Sequence, residues 1–340
     1  MCERKDKKTM VQEQAATQIS ATTRPLRERV GISIKNGLKA RYTVQEVVES
    51  IQKAEAAGIQ QIWMPQIGPL DTPTIFTAAA LQTQQIRFNV GVVPTYTRHP
   101  LILAQQALAF DQVAPGRLRL GIGSSNKVLI EDVYGVPMGK KPLSQTREYM
   151  SVLRAAIETG QVEYQGEFFQ VHYHEETTAS IPLIISALGE KAFETAGEIS
   201  DGALPWLAPI PYLLEKALPA LKKGAQSQQR PAPPIIAGVL VALSEDQQAV
   251  QRAVLQQIEH YLGLPYYIRL FANAGIPLGP DGTGSEELIS ALVAQGSAAA
   301  VEQRLRQILA TEIGELNLTL IPVVDEQKEY AQLLRIIGNL

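Results

Sequence analysis

Between residue 30 and the C-terminus, a short apolar run gives way to an amphipathic helical stretch eight times in succession. Few folds can absorb such a repeat. The apolar runs fall at 30–34, 62–64, 86–93, 117–122, 182–186, 202–206, 235–242 and 316–321. The first helix illustrates the local signals. Thr43 is placed as N-cap with Glu46 three residues on, a capping box; Val44, Val47, Val48 and Ile51 recur at helical spacing, and Gly58 ends the run. Later helices read over 73–84, from Pro100 onward, over 144–159, 190–199 and 210–223, from a second capping box at Ser244 to Gln247, and over 326–337. Strict strand–helix alternation makes neighbouring strands parallel, because each return needs a helical crossover. Eight such units predict an α/β chain closed as a (β/α)8 TIM barrel; a doubly wound open sheet carries about six strands. Two stretches interrupt the rhythm. Residues 163–173 alternate as a hairpin before the fifth barrel strand, and 263–296, punctuated by Pro, Gly and Asp-Gly, form an insertion between the seventh helix and the eighth strand.

A length of 340 residues would ordinarily suggest two domains, but barrels spend about 200–400 residues on one. The expected organisation is therefore a disordered N-terminal extension over 1–29, rich in Lys, Gln, Thr and Arg, followed by a single barrel domain over 30–340. The formal net charge is −3 with no basic block, which argues against a nucleic-acid or membrane-surface partner. The sole cysteine, Cys2, excludes a disulfide framework and a cysteine-based metal site. No apolar run reaches signal-peptide or membrane-spanning length, so the expectation is a soluble, cytoplasmic protein.

Barrels place chemistry at the carboxyl ends of their strands. Reading just past each strand gives Lys35 and Asn36, then Gln66 and Asp71, then the run from Pro94 to His99. Next come Gly121 to Lys127, with Ser124, Ser125 and Asn126 between the glycines and the lysine, and finally Ser186 to Glu190 leading straight into a helix. The last two loops have the character of a phosphate cradle: small residues whose backbone N–H groups are accessible, a helix N-terminus, and Lys127 nearby. The same pattern also describes a plain tight turn. His99, before Pro100 at a helix start, reads as a residue that hydrogen-bonds locally or as one directly involved in catalysis. His172 and His174 share one face of a strand, yet nothing at readable spacing completes a metal site, so none is expected. Trp63 and Trp206 read as core residues, with Trp206, at a strand's carboxyl end, equally placed to face the pocket. Nucleophile elbows, zinc helices and Walker loops are absent, which argues against hydrolase and kinase chemistry.

The segment from Val92 to Pro100, the Phe110-Asp111-Gln112 triplet, and the run from Pro115 to Gly123 together resemble the signature of luciferase-like oxidoreductases. The Thr97-Arg98-His99-Pro100 run, Tyr134-Gly135, the Arg147 to Met150 stretch and the block from Glu194 to Ala203 are similar to the branch that uses the deazaflavin coenzyme F420, which includes methylenetetrahydromethanopterin reductase. The resemblance implies a flavin-type cofactor at the barrel mouth, above a bulge with a non-prolyl cis peptide at Gly91 and Val92. It implies that Ser124, Ser125, Asn126 and Lys127, with Ala187, Leu188, Gly189 and Glu190, hold the phosphate-bearing tail, and that Gln66 and Trp206 line the ring pocket. Catalytic roles fall to Asn36 and Gln66; Lys35 and Asn36 stand where some relatives carry a carboxylate. The implied activity is hydride transfer between coenzyme F420 and a small organic substrate, in a homodimer. The alternatives are an FMN-dependent monooxygenase using reduced flavin and oxygen, and a cofactor-binding protein without turnover.

Overall fold

The computed structural model describes residues 24–34, 42–279 and 285–340. Eight parallel strands build the barrel wall: β1 (Val30–Ser33), β2 (Gln61–Met64), β3 (Arg87–Pro94), β4 (Leu118–Gly123), β7 (Leu183–Ser186), β8 (Gly202–Leu204), β9 (Ile236–Ala242) and β11 (Glu315–Leu320). Laterally they run β9-β11-β1-β2-β3-β4-β7-β8. The wall closes where Ala203 of β8 bridges Ile235, the residue before β9. Farther up the same edge of β9, β10 (Val293–Gln295) pairs with Leu240 to Ala242. The expected barrel is thus present, with a ninth strand wedged in near the mouth. The predicted hairpin is β5 (Gln161–Gln165) against β6 (Gln170–His174), a separate antiparallel sheet. The predicted insertion contains helices Pro265–Asn273 and Glu286–Leu292 and then β10.

Local signals explain most boundaries. Thr43 and Glu46 form the reciprocal capping box that their spacing predicts, and Gly58 takes the left-handed φ of 83° just past that helix. Three details differ from expectation. Val44 is exposed, so the buried stripe of that helix is Val47, Val48, Ile51 and Ala54. The cap of the helix Gln247–Leu262 is Asp246, whose carboxylate accepts from Ala249 N–H; Ser244 Oγ instead accepts from Asp246 N–H. Residues 24–29, assigned from sequence to the extension, include the 3-10 turn Leu26–Arg29. Its buried Arg29 guanidinium donates to the Gly314 and Ile313 carbonyls at 2.8 and 2.6 Å.

Strand register decides which side chains enter the barrel. Leu316, Leu318 and Leu320 of β11 join the outer core beneath the helices, so Glu315, Asn317 and Thr319 face inward. Pairing carries that parity around the wall to Gly31, Gln61, Trp63, Asn89 and Arg119. The barrel floor is polar. Glu315, which is buried, accepts from Arg119 at 3.1 and 2.9 Å and from Gln61 at 3.4 Å, and pairs with Arg24; Arg119 also donates to Asn89 and Gln61. Burial alone would raise the Glu315 pKa. The guanidinium groups of Arg119 and Arg24 overcome that and hold it at about 2.

Outside the wall, helices Glu190–Ile199 and Leu218–Ser227 meet through glycine. A β-carbon at Gly224 would lie 1.9 Å from the Glu194 carbonyl oxygen, and one at Gly197 would lie 2.1 Å from that of Leu221. Gly→Ala inside an exposed helix stabilises by up to about 1 kcal/mol. Here the sign inverts: Gly224→Ala should destabilise by about 1–3 kcal/mol through overpacking, read as a lower urea midpoint. A neutral or raised midpoint would show that these helices separate freely.

Candidate functional site at the barrel mouth

The mouth is organised around the end of β3. The Gly91–Val92 peptide bond is cis, where the sequence resemblance places it, and pairing with β4 shifts register between Val90 and Val93. Glycines permit the close approach: a β-carbon at Gly91 would sit 3.0 Å from both the Trp63 ring and Leu204 Cδ2, and one at Gly121 only 2.3 Å from Val90 O. The bulge is anchored by Gln66, whose backbone N–H donates to Val92 O at 3.2 Å. The Gln66 side chain is half-buried, and its Oε1 accepts from Thr72 N–H at 2.7 Å, at the start of helix Thr72–Ala80. That oxygen is therefore engaged, and the Nε2 hydrogens remain the group with which Gln66 can meet a ligand.

The two loops singled out as a phosphate cradle lie side by side because β4 pairs with β7; a β-carbon at Gly123 would touch Ser186 Cβ at 2.9 Å. Ser125 adopts a left-handed φ of 61°, which turns the chain at the loop apex. Within this loop two side chains serve the fold. Asn126 Oδ1 caps Leu129 N–H at 2.9 Å, and Lys127 is exposed, with Nζ 3.4 Å from Glu131 one turn on. On the opposite loop, Gly189 caps helix Glu190–Ile199 without a side-chain bond, and a β-carbon there would meet nothing within 4 Å. Among the described residues the N–H groups of Leu188, Gly189, Glu190 and Lys191 find no acceptor, so they are available to an anion. Glu190 places a carboxylate in the same turn, an opposing charge. Ala187 is buried, its N–H donating to Leu204 O at 3.4 Å. Tyr212 OH fixes the turn through Leu188 O at 2.9 Å.

Trp206 is half-buried and leans over the inward position Gly238, with Cε3 3.0 Å from where a β-carbon would be. Its outer side packs edge-on to Tyr261, 6.4 Å between centroids, and Tyr261 in turn meets Tyr267 of the insertion at 5.2 Å. Aromatic packing thus runs from Trp206 through Tyr261 into the insertion, which sequence periodicity had not indicated. Burial raises the pKa of Tyr261, and of Tyr267 well above the usual phenol value, so both stay neutral. Lys35 and Asn36 lie outside the described residues.

Beside the mouth, Thr95 to His99, Gln145, Phe168 and Phe169 line an open groove of about 410 Å³. His99 serves as N-cap of helix Pro100–Val113: its Nδ1 accepts from Leu101 N–H at 3.2 Å, and its ring stands edge-on to Phe169. Burial lowers its pKa below 6.5. Protonation is then easier in the unfolded chain and also removes the cap acceptor. Stability contributed by His99 is present above pH ~6.5 and is lost as pH falls below it. His99→Asn, which keeps a cap acceptor without the titration, should flatten the melting-temperature slope between pH 7 and pH 5; an unchanged slope would assign that range to other groups. His172 pairs with the Glu163 carboxylate at 2.5 Å on the exposed hairpin. Among the described residues no cluster of three metal-ligating side chains occurs, and no helix is long and apolar enough to cross a membrane.

With this geometry in place, comparison with known proteins is direct. The sequence profile of the luciferase-like monooxygenase family matches residues 28–317, and the chain belongs to that family. It is 29% identical over 204 residues to the 5,10-methylenetetrahydromethanopterin reductase of Methanopyrus kandleri. That match covers 54% of this chain and 58% of the reductase, little more than half the length of this curated relative. In fold it is similar to an F420-dependent secondary alcohol dehydrogenase in complex with an F420-acetone adduct (TM-score 0.76, 18% identity, 91% and 98% of the two chains). It is also similar to the FMN-bound oxygenating constituent of 3,6-diketocamphane monooxygenase, a type II Baeyer-Villiger enzyme from Pseudomonas putida (TM-score 0.66, 18% identity, 91% and 95%).

Proposed function

We propose that this protein is a coenzyme F420-dependent oxidoreductase that moves a hydride between the deazaflavin and a small organic substrate. The observation that carries the reading is the likeness to the Methanopyrus kandleri reductase, whose solved structure is described as coenzyme F420 dependent, joined to a mouth whose free features suit a ring with a phosphate-bearing tail. The glycine-flanked platform at Gly91 and Val92 and the open amides from Leu188 to Lys191 fit such a group. Bound there, the deazaflavin would supply the hydride chemistry.

The chain's own residues would hold and orient that group and exclude water from it. Gly91 and Val92 would support the ring, Gln66 Nε2 and Trp206 would border it, and Ser124, Ser125 and the 187–190 turn would receive the tail, with Ala187 as buried support. In this reading Lys127 and the Asn126 side chain contribute less than sequence resemblance implies, since Glu131 and Leu129 already engage them. Asn36, which follows β1 in the sequence, keeps the catalytic assignment that the resemblance implies. A neutral aromatic wall of Trp206 and Tyr261 favours an uncharged substrate. The working unit is a homodimer in the cytoplasm.

The test is anaerobic mixing of the enzyme with reduced F420 and a panel of ketones, enones and imines. Substrate-dependent return of the oxidised deazaflavin absorbance supports the reading. Oxygen consumption with reduced FMN, and none of that recovery, would replace it with a monooxygenase; tight cofactor binding with neither activity would replace it with a carrier.

A further inference from the structure

The inner face of β11 carries two polar side chains above the charged floor, Asn317 and Thr319, both more than nine-tenths buried. Among the described residues, Asn317 Oδ1 and Thr319 Oγ1 make no hydrogen bond, and neither does the indole N–H of Trp63, whose side chain is 1% exposed. Burying one such group without a partner is costly, and three are together here.

Register shows how close they are. Asn317 pairs with Gly31 on one side and with Gly238 on the other. A β-carbon at Gly31 would lie 2.6 Å from Trp63 Nε1, so the indole N–H sits over the neighbour of Asn317 in the sheet. Adjacent strands lie about 4.8 Å apart, which puts the indole N–H and the Asn317 amide within reach of one shared small molecule. Thr319 is two residues farther along the same strand and on the same face, toward the mouth. On the other flank Trp206 lies over Gly238, the other sheet neighbour of Asn317, so the two indoles stand on either side of Asn317.

We propose that Trp63, Asn317 and Thr319 form a binding site for a single ordered water inside the barrel. The water accepts from the indole N–H and donates to Asn317 Oδ1 and Thr319 Oγ1. Three hydrogen bonds is the usual number for a buried water. Because water both donates and accepts, the site is satisfied whichever way the Asn317 amide is turned. The Trp63 ring that borders it also packs beneath Gly91, so the water lies under the β3 bulge rather than in bulk solvent. Its occupancy does not depend on which cofactor the mouth takes.

The chain has two tryptophans, which makes the test direct. In protein labelled with ¹⁵N-tryptophan, the two indole N–H signals are assigned with a Trp206→Phe variant, and cross-relaxation to water is measured. The Trp63 indole should show a water cross-peak despite its burial. Asn317→Leu should abolish that cross-peak and move the signal upfield. Thr319→Val, nearly the same size and thus a safeguard if the leucine variant fails to fold, should weaken the cross-peak at least twofold. A Trp63 indole with no water contact in the parent protein, or a cross-peak untouched by both substitutions, would overturn the proposal.

Discussion

Glu315→Gln is expected to lower the free energy of unfolding at pH 7 by about 3–5 kcal/mol, the penalty typical of removing one partner from a buried ion pair. The carboxylate is almost fully buried and is held by Arg119 and Arg24, with Gln61 also donating to it. Glutamine keeps the shape and removes the charge, leaving two guanidinium groups facing each other at the barrel floor. The pH dependence identifies the cause. With the folded carboxyl held at about 2 against an ordinary 4.5, its contribution is fully present above pH 4.5 and is lost as pH falls from 4.5 toward 2. The gap between parent and variant in urea titrations should therefore narrow between pH 7 and pH 3. A difference below about 1 kcal/mol at pH 7, or a gap constant across that range, would show that the floor does not depend on this charge.

The second large effect is expected at Gly121. A β-carbon there would lie 2.3 Å from Val90 O and 2.9 Å from Val92 Cγ1, and the nearer atom is backbone, which cannot swing aside. Gly121→Ala must push β3 away from β4 at the point where their register already shifts. The displacement passes to Gly91, Val92 and, through the Val92 carbonyl, to Gln66. Overpacking of this kind costs about 1–3 kcal/mol. On the proposed function, it should also weaken deazaflavin binding tenfold or more, about 1.4 kcal/mol. Gly263→Ala, where a β-carbon meets nothing within 4 Å, is the control and should change neither quantity. Unaltered affinity in Gly121→Ala, with the stability loss present, would separate the β3 bulge from the binding site.

The barrel was legible because its signals are local and repeated. Alternating apolar runs and helices gave the strand order, and the Thr43 and Glu46 box and Gly58 set one helix at both ends. What individual loop side chains do was less legible, because it depends on neighbours a few residues away that compete for them. Lys127 reads equally as an anion partner or a solvated loop charge, and the sequence does not show that Glu131, one turn on, lies 3.4 Å from it; Asn126 is engaged by Leu129 N–H, and Gln66 Oε1 by Thr72 N–H. The barrel interior was legible in principle. Residues 315–320 read Glu-Leu-Asn-Leu-Thr-Leu, and in a strand buried on both faces the polar set must point to the axis and the leucines to the helices. Trp63 and Trp206 look alike in sequence, both beside strand ends, yet strand parity sends Trp63 to the centre of the barrel, while Trp206, past the end of β8, is half-buried and leans over Gly238.

Side-by-side equilibrium titration of the purified protein with coenzyme F420 and with FMN, followed by fluorescence quenching, tests the central claim most directly. The account predicts that the deazaflavin binds at least tenfold more tightly. Preference for FMN would contradict it and make an oxygen-using flavin enzyme the reading to pursue.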